Sequence, residues 1–358
     1  MVQTNVNTSC LTKVSIIPFY YLNITNEYMN TSINRITKIV VLVPIKNEDW
    51  ILDKFLAITE KFADSILIAD QFSTDRSVEI ASKYDKVILI RNESQTYDEA
   101  YRQRLLIAKS RELFSGRNFL LALDADELLT ADSLLSKFWI DIDHIKPGTV
   151  ITFEKPDILS PMSNCIRYSD GFKLGYLDDG REHKGKLIHS PRIPFDESSP
   201  ILNISDVKFM HYARVRSLEY YDRQRLYSMI ENVRGVNPFY KRLNGYSPKI
   251  SSMNNISKIE ISEESWFDGW EKMGIEIRKI PSCINNIYAN QICELLAKYG
   301  SIKFSLDDIW DRDWKKFNIQ YFSTMDRDIS NISILRKLLL DVIIYLLKSY
   351  KLIRRLVK

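Results

Sequence analysis

Four short apolar runs, each followed by a stretch with a different periodicity, constrain this chain more than any other feature. They are residues 38–43 (KIVVLV), 65–69 (SILIA), 86–90 (KVILI) and 119–123 (FLLAL). Runs of this length and composition fit fully buried strands. Between the first two, Ile51, Phe55, Ile58 and Phe62 recur at helical spacing. Residues 74–83 and 98–113 read as helices too, the second with Ala100, Leu105, Leu106 and Ala108 among its apolar positions. Strict strand–helix alternation predicts an α/β fold with a mostly parallel sheet and right-handed crossovers. Pro44 is expected to end the first strand. Ligands of such sheets bind at the carboxyl ends of the strands. The loop 44–48, Asp70 and Asp124 therefore converge on one edge.

The fourth run leads into Asp124-Ala125-Asp126-Glu127. Alternation along an extended chain puts Asp124 and Asp126 on one side. Two carboxylates so close repel each other unless a cation or a proton intervenes. A divalent cation holding phosphate oxygens meets that need, because Mg²⁺ and Mn²⁺ take oxygen ligands and few protein groups. Asp126 is the expected metal ligand. Asp124 faces a ribose, or the metal through water. The bare motif fits a solvated acidic turn equally well.

Four other segments carry candidate chemistry. Asn47 and Glu48, after strand one, can hold a base or ribose, or start the next helix. Asp70 can accept from a nucleobase N–H, with Ser73 or Thr74 capping the following helix. In Tyr176–His183, Asp178, Asp179 or Glu182 can take a proton from an attacking hydroxyl, or simply form a turn around Gly180. His211 closes a mostly apolar run and is either a further metal ligand or a structural histidine. Arg192, in the motif I-H-S-P-R-I-P, and Lys186 can neutralise a diphosphate.

Taken in order, V-P-I-K-N-E, A-D-Q-F-S-T-D and L-A-L-D-A-D-E resemble the family 2 glycosyltransferases of the GT-A fold, over roughly residues 37–235. The segment from Asp178 to Arg225 resembles one bacterial branch of that family. The resemblance implies a nucleotide-diphosphate sugar donor, a UDP-sugar being favoured, with Mg²⁺ or Mn²⁺ and inversion at the anomeric carbon. It implies Pro44, Glu48, Asp70 and Arg102 at the nucleotide, Asp124 at nucleotide or metal, and Asp126 and His211 at the metal. It makes Asp178 or Asp179 the base. The chain departs from the family at Gln71 and Phe72, where a second acid and a glycine are usual.

The net charge of +4 conceals a basic tail. Residues 331–358 hold seven basic residues against Asp341, which leaves −2 for the rest and no footprint for nucleic acid. The tail includes L-L-L-D-V-I-I-Y-L-L, too short to span a bilayer. It suits an interfacial helix on an anionic inner leaflet, or a helix packed on the protein's own core. The membrane reading makes the protein peripheral on the cytoplasmic face and brings a lipid-linked saccharide acceptor with it, as in surface polysaccharide synthesis. Cys10, Cys165, Cys283 and Cys293 are scattered, which fits a reduced compartment. The expected organisation is an extension (1–36), a GT-A domain (37–235), a helical region (236–330, opening on a polar linker from about Asn237) and the tail (331–358). A nucleotidyltransferase is the first rival, but residues 44–50 lack the glycine-rich phosphate loop it favours. A non-catalytic scaffold that kept the fold is the second.

Overall fold

The protein is described here from a computed structural model that covers residues 35–93, 98–186, 189–250, 259–281, 286–322 and 327–356. Nearly all of the expected N-terminal extension, Cys10, Cys283 and Ile188 lie outside the described residues. Two compact units are present. The first takes the chain up to Pro156, then Tyr168–His211 and Ser262–Ile280; the second takes Asp157–Arg167, Tyr212–Ile261 and Pro281–Lys358.

The first unit is the expected α/β sheet. Its strands are β1 (Lys38–Ile45), β2 (Ser65–Asp70), β3 (Val87–Arg91), β4 (Asn118–Ala122), β5 (Glu127–Leu129), β6 (Val150–Glu154), β7 (Phe172–Leu177) and β8 (Ile201–His211). The order across the sheet is β8-β6-β7-β4-β1-β2-β3, with β5 paired to β8. β4, β1, β2 and β3 are mutually parallel, while β7 runs antiparallel between β4 and β6. Ile39 to Val43 have no exposed surface, as a sheet covered on both faces requires.

Three helices make the crossovers: α1 (Leu52–Thr59), α2 (Ser77–Ala81) and α3 (Glu99–Leu113). Asp98 caps α3 by accepting the Tyr101 N–H at 2.9 Å. Leu106 and Ile107 of α3 pack with Val40, Leu67, Leu120 and Tyr176. Truncating Leu106 to alanine there costs about 2–5 kcal/mol.

One strand expectation needs correction. β1 does not stop at Pro44 but runs to Ile45, with Pro44 opposite Ala69 of β2. Pairing of β1 with β4 ends at Leu42–Ala122, so the missing proline N–H falls where β1 has a neighbour on one side only. The stretch between Pro156 and Pro200 supplies β7 in the middle of the sheet. Gly175 lets β7 lie there: a Cβ on it would meet the Phe119 ring at 2.5 Å.

The second unit is mainly helical, as expected. Its helices include Ser217–Arg234, Phe239–Tyr246, Ile287–Tyr299, Trp314–Phe322 and Ile334–Leu356. Phe239–Tyr246 stands where a polar linker was read. Met229, Leu243, Ile292, Phe304, Trp310 and Trp314 form a core of their own. Fully buried Asp307 accepts from Arg242 Nε at 2.8 Å and Ser228 Oγ at 2.6 Å. Leu340 and Ile344 of the last helix are buried in this core, while Leu335, Leu338, Leu339, Val342, Tyr345 and Leu346 are exposed. Among the described residues, no helix is long and apolar enough to cross a membrane.

Candidate active site

The loops after β1 and β2 are stitched together. Asn47 adopts a left-handed backbone (φ 59°), and its side-chain oxygen accepts the Thr74 N–H at 2.7 Å. Ser73 Oγ accepts the Asn47 N–H at 2.9 Å, and Ser77 Oγ accepts the Glu48 N–H at 2.8 Å. The Glu48 carboxylate accepts from the Trp50 indole at 2.8 Å. Asp70, at the end of β2, accepts the Ser73 N–H at 3.2 and 3.3 Å. Phe72 stands where the resemblance leads one to expect glycine. It takes the left-handed conformation (φ 54°) glycine favours, with its ring under the Arg91 guanidinium at 4.7 Å. Pro44, Glu48 and Asp70 thus share one edge of the sheet. Arg102 lies in the first turn of α3, which starts at that edge after β3.

The acidic motif is a turn. β4 ends at Ala122 and β5 starts at Glu127, so the alternation expected of Asp124 and Asp126 does not apply. The Glu127 carboxylate closes the turn by accepting the Asp124 N–H at 3.0 Å, while the Glu127 N–H donates to the Asp124 carbonyl at 3.0 Å. The two aspartates then part. Asp124 accepts from Arg192 Nη2 at 2.5 Å. Asp126 is nearly buried and approaches His211, with Oδ2 and Nε2 3.6 Å apart. The β5–β8 ladder makes this approach, because it sets His211 opposite Glu127.

Glu127 is the residue the sequence reading undervalued. It has no exposed surface, and it accepts from Lys155 Nζ at 2.6 Å and from Arg192 at 2.5 and 3.0 Å. Burial alone raises a carboxyl pKa; here the charges of Arg192 and Lys155 outweigh it and hold Glu127 well below the carboxylate range. Burial works against the Arg192 cation in the same way, and Asp124 and Glu127 more than restore it. Arg192 was read as a partner for diphosphate; it binds the acidic turn itself.

The candidate base residues are elsewhere. β7 runs antiparallel to β4 with Leu177 opposite Phe119, and the Asp178 N–H donates to Asn118 at the start of β4. Asp178 therefore sits at the amino edge of β4, about 20 Å along the strand direction from Asp124. Both its oxygens are taken by Arg111 at the far end of α3, at 2.9 and 2.7 Å. Asp179 accepts from the Tyr176 hydroxyl and from the Arg181 N–H. Burial pulls its pKa up, but these hydrogen bonds leave it below the ordinary value, the wrong direction for a general base. Exposed Glu182 follows in the same loop, one residue after Arg181, whose carbonyl accepts from Arg111. Asp178 and Asp179, read as alternatives for the base, thus lie at the edge of the sheet opposite Asp124.

A carboxylate and an imidazole within 3.6 Å suit a divalent cation that completes its shell with water or phosphate oxygens. Among the described residues, no group of three or more His, Cys, Asp or Glu forms a cage that would hold a metal without such help.

Residues 40–153 match the family model described as glycosyl transferase family 2. No curated protein sequence matches the chain. Similar solved structures include glucosyl-3-phosphoglycerate synthase from Mycobacterium tuberculosis, in complex with Mn²⁺, UDP and glucosyl-3-phosphoglycerate. It is 16% identical over 37% of this chain and 48% of that one, with a TM-score of 0.26. The chain thus spans about half the length of that synthase. Another is 4-diphosphocytidyl-2C-methyl-D-erythritol synthase, 15% identical over 40% of this chain and 72% of that one, TM-score 0.28. HddC from Yersinia pseudotuberculosis is 8% identical over 52% and 97%, TM-score 0.32. The matched residues 40–153 hold most of β1, all of β2 to β5 and the turn with Asp124 and Asp126, and it is over this part that the chain is similar to glycosyl transferase family 2.

Proposed function

We propose that the protein transfers a sugar, with inversion, from a nucleotide-diphosphate sugar to a saccharide acceptor in surface polysaccharide synthesis. The observation that carries this reading is the approach of His211 to Asp126 at 3.6 Å, beside the loops after β1 and β2. Glu48 and Asp70 hold the nucleoside at those loops, with Arg102 at the start of α3. Asp126 and His211 hold Mg²⁺ or Mn²⁺, and Asp124 meets the nucleotide. When bound, the cation neutralises charge on the leaving diphosphate. Glu127 fixes the turn that presents both aspartates, and Arg192 supplies a second positive charge beside the leaving group. The supporting facts are the family 2 segment and the convergence of these residues on one sheet edge. A panel of nucleotide sugars, scored for Mn²⁺-dependent thermal stabilisation and hydrolysis, tests it. Stabilisation by one nucleotide diphosphate only with the metal is expected; no response to any nucleotide refutes the reading.

The last helix supports a lipid-linked acceptor. Its exposed apolar stripe, Leu335, Leu338, Val342, Tyr345 and Leu346, is flanked by Arg336, Lys337, Lys348, Lys351 and Arg354. An apolar face bordered by cations complements an anionic bilayer surface. The helix lies in the interface, with Leu340 and Ile344 keeping its other face on the protein.

A further inference from the structure

A cleft of about 490 Å³ opens in the first unit, within the usual size range of small-molecule sites. Its walls include Lys155, Phe172, Lys173, His189, Arg192 and Phe195. The motif I-H-S-P-R-I-P supplies one wall, and the two lysines come from two other segments that no motif marks. Two of them are braced by aromatic rings: Lys155 Nζ lies 4.6 Å from the Phe172 ring and Lys173 Nζ 3.9 Å from the Phe195 ring. The wall that carries Arg192 is anchored. The Ser190 N–H donates to Glu99 of α3 at 2.9 Å, and the Pro191 carbonyl lies 2.7 Å from His183 Nε2. His189 at its edge holds a left-handed backbone (φ 54°), which a fixed loop can impose. Gly185 lets this loop lie against α3, since a Cβ there would meet Ala100 Cβ at 2.4 Å.

Strand order places the cleft relative to the donor. The nucleoside loops follow β1 and β2, and the acidic turn follows β4. Phe172, Lys173 and Lys155 belong to the start of β7 and the end of β6, on the other side of β4. Neighbouring strands are about 4.8 Å apart, so the cleft begins about 5–10 Å beyond the turn, away from the nucleoside. Three cations line the cleft, and Glu127 and Asp124 pair with two of them, Lys155 and Arg192, which leaves the positive charge of Lys173 as the surplus. A neutral sugar has no use for such a surplus; an anion does.

We propose that this cleft is an anion subsite that takes a carboxylate or phosphate group on the saccharide acceptor. The inference rests on the transferase reading of the same edge and narrows the acceptor to an acidic or phosphorylated saccharide. Lys173 meets the anion, Lys155 adds its field from the base of the cleft, and the edges of Phe172 and Phe195 bound the sugar.

Ligand-observed NMR and calorimetry on the full chain test it, with glucuronate and glucose 6-phosphate as probes and glucose as the neutral control. Both anionic sugars are expected to bind, glucose far more weakly, and Lys173→Gln to raise the dissociation constants roughly tenfold. Addition of UDP with Mn²⁺ is expected to leave this binding in place. Equal binding of glucose, no binding of either anion by the folded protein, or unchanged affinity in Lys173→Gln overturns the proposal. Displacement by UDP–Mn²⁺ overturns it as well, because the cleft is then the seat of the donor diphosphate. Binding of UDP–Mn²⁺ measured alone reports on the transferase reading separately.

Discussion

Arg192 grips Glu127 with both arms of its guanidinium, Nη1 on Oε2 at 2.5 Å and Nη2 on Oε1 at 3.0 Å, and from there reaches Asp124. The pair joins segments 65 residues apart and sets the conformation of the acidic turn. Glu127 stabilises the fold because its charge is matched by two cations, Lys155 and Arg192.

Glu127→Gln leaves Arg192 and Lys155 without that charge. Breaking a buried pair in this way costs about 3–5 kcal/mol, read as a lower urea midpoint at neutral pH. The pH dependence has a definite sign. The folded-state pKa of Glu127 is lowered from 4.5, so its contribution is complete above that value and is lost as pH falls below it. The stability difference between the native protein and Glu127→Gln should therefore shrink as the pH is taken below about 4.5. A difference that stays constant down to the acid transition contradicts the assignment.

Asp126 and His211 should act as a pair toward metal. Asp126→Asn and His211→Ala are each expected to weaken Mn²⁺-dependent UDP binding by at least roughly tenfold. The double variant should lose little more, because each single change already breaks the same site. Calorimetry with UDP, with and without Mn²⁺, measures all three. Undiminished Mn²⁺ dependence in both single variants removes these residues from the metal site.

The sheet was legible where its runs are unbroken. Residues 38–43, 65–69 and 119–123 are apolar at nearly every position, because strands covered on both faces tolerate nothing else. β7 escaped notice for an equally physical reason. Its sequence, FKLGYL, has a lysine facing the cleft and a glycine cleared for the Phe119 ring, so no apolar run remains. Its direction was hidden too, and that direction carries Asp178 away from Asp124. Asp124, Asp126 and His211 stood out in the sequence as candidates, and the structure brings Asp126 to His211. Glu127 became intelligible only through Lys155 and Arg192, distant partners that no local pattern announces.

Asp178 and Asp179 yield a prediction of retained function. Asp179→Asn should keep UDP–Mn²⁺ binding within about twofold of the native protein, since the residue lies at the opposite edge of the sheet. Asp178→Asn should also bind, but at lower stability. It loses the bidentate partner of Arg111, and hydrogen bonds to charged groups contribute about 1.5–3 kcal/mol. Urea unfolding together with nucleotide titration separates the two effects. Loss of binding in well-folded Asp179→Asn would return that residue to the site.

The last helix should partition to anionic bilayers through two separable contributions. Lys348→Gln with Lys351→Gln removes two cations beside the apolar stripe. At about 1 kcal/mol per basic residue near a charged surface, the pair should weaken binding to phosphatidylserine-containing vesicles by roughly thirtyfold at low salt. Leu338→Glu with Leu346→Glu should weaken it at every ionic strength, because both side chains are more than half exposed on the stripe and have apolar surface to lose. Neither change touches Leu340 or Ile344, so the second unit should keep its thermal midpoint. Vesicle co-sedimentation over a salt series reads both contributions. Equal sedimentation of all three proteins, or binding that ignores lipid charge, means the stripe faces something other than an anionic membrane.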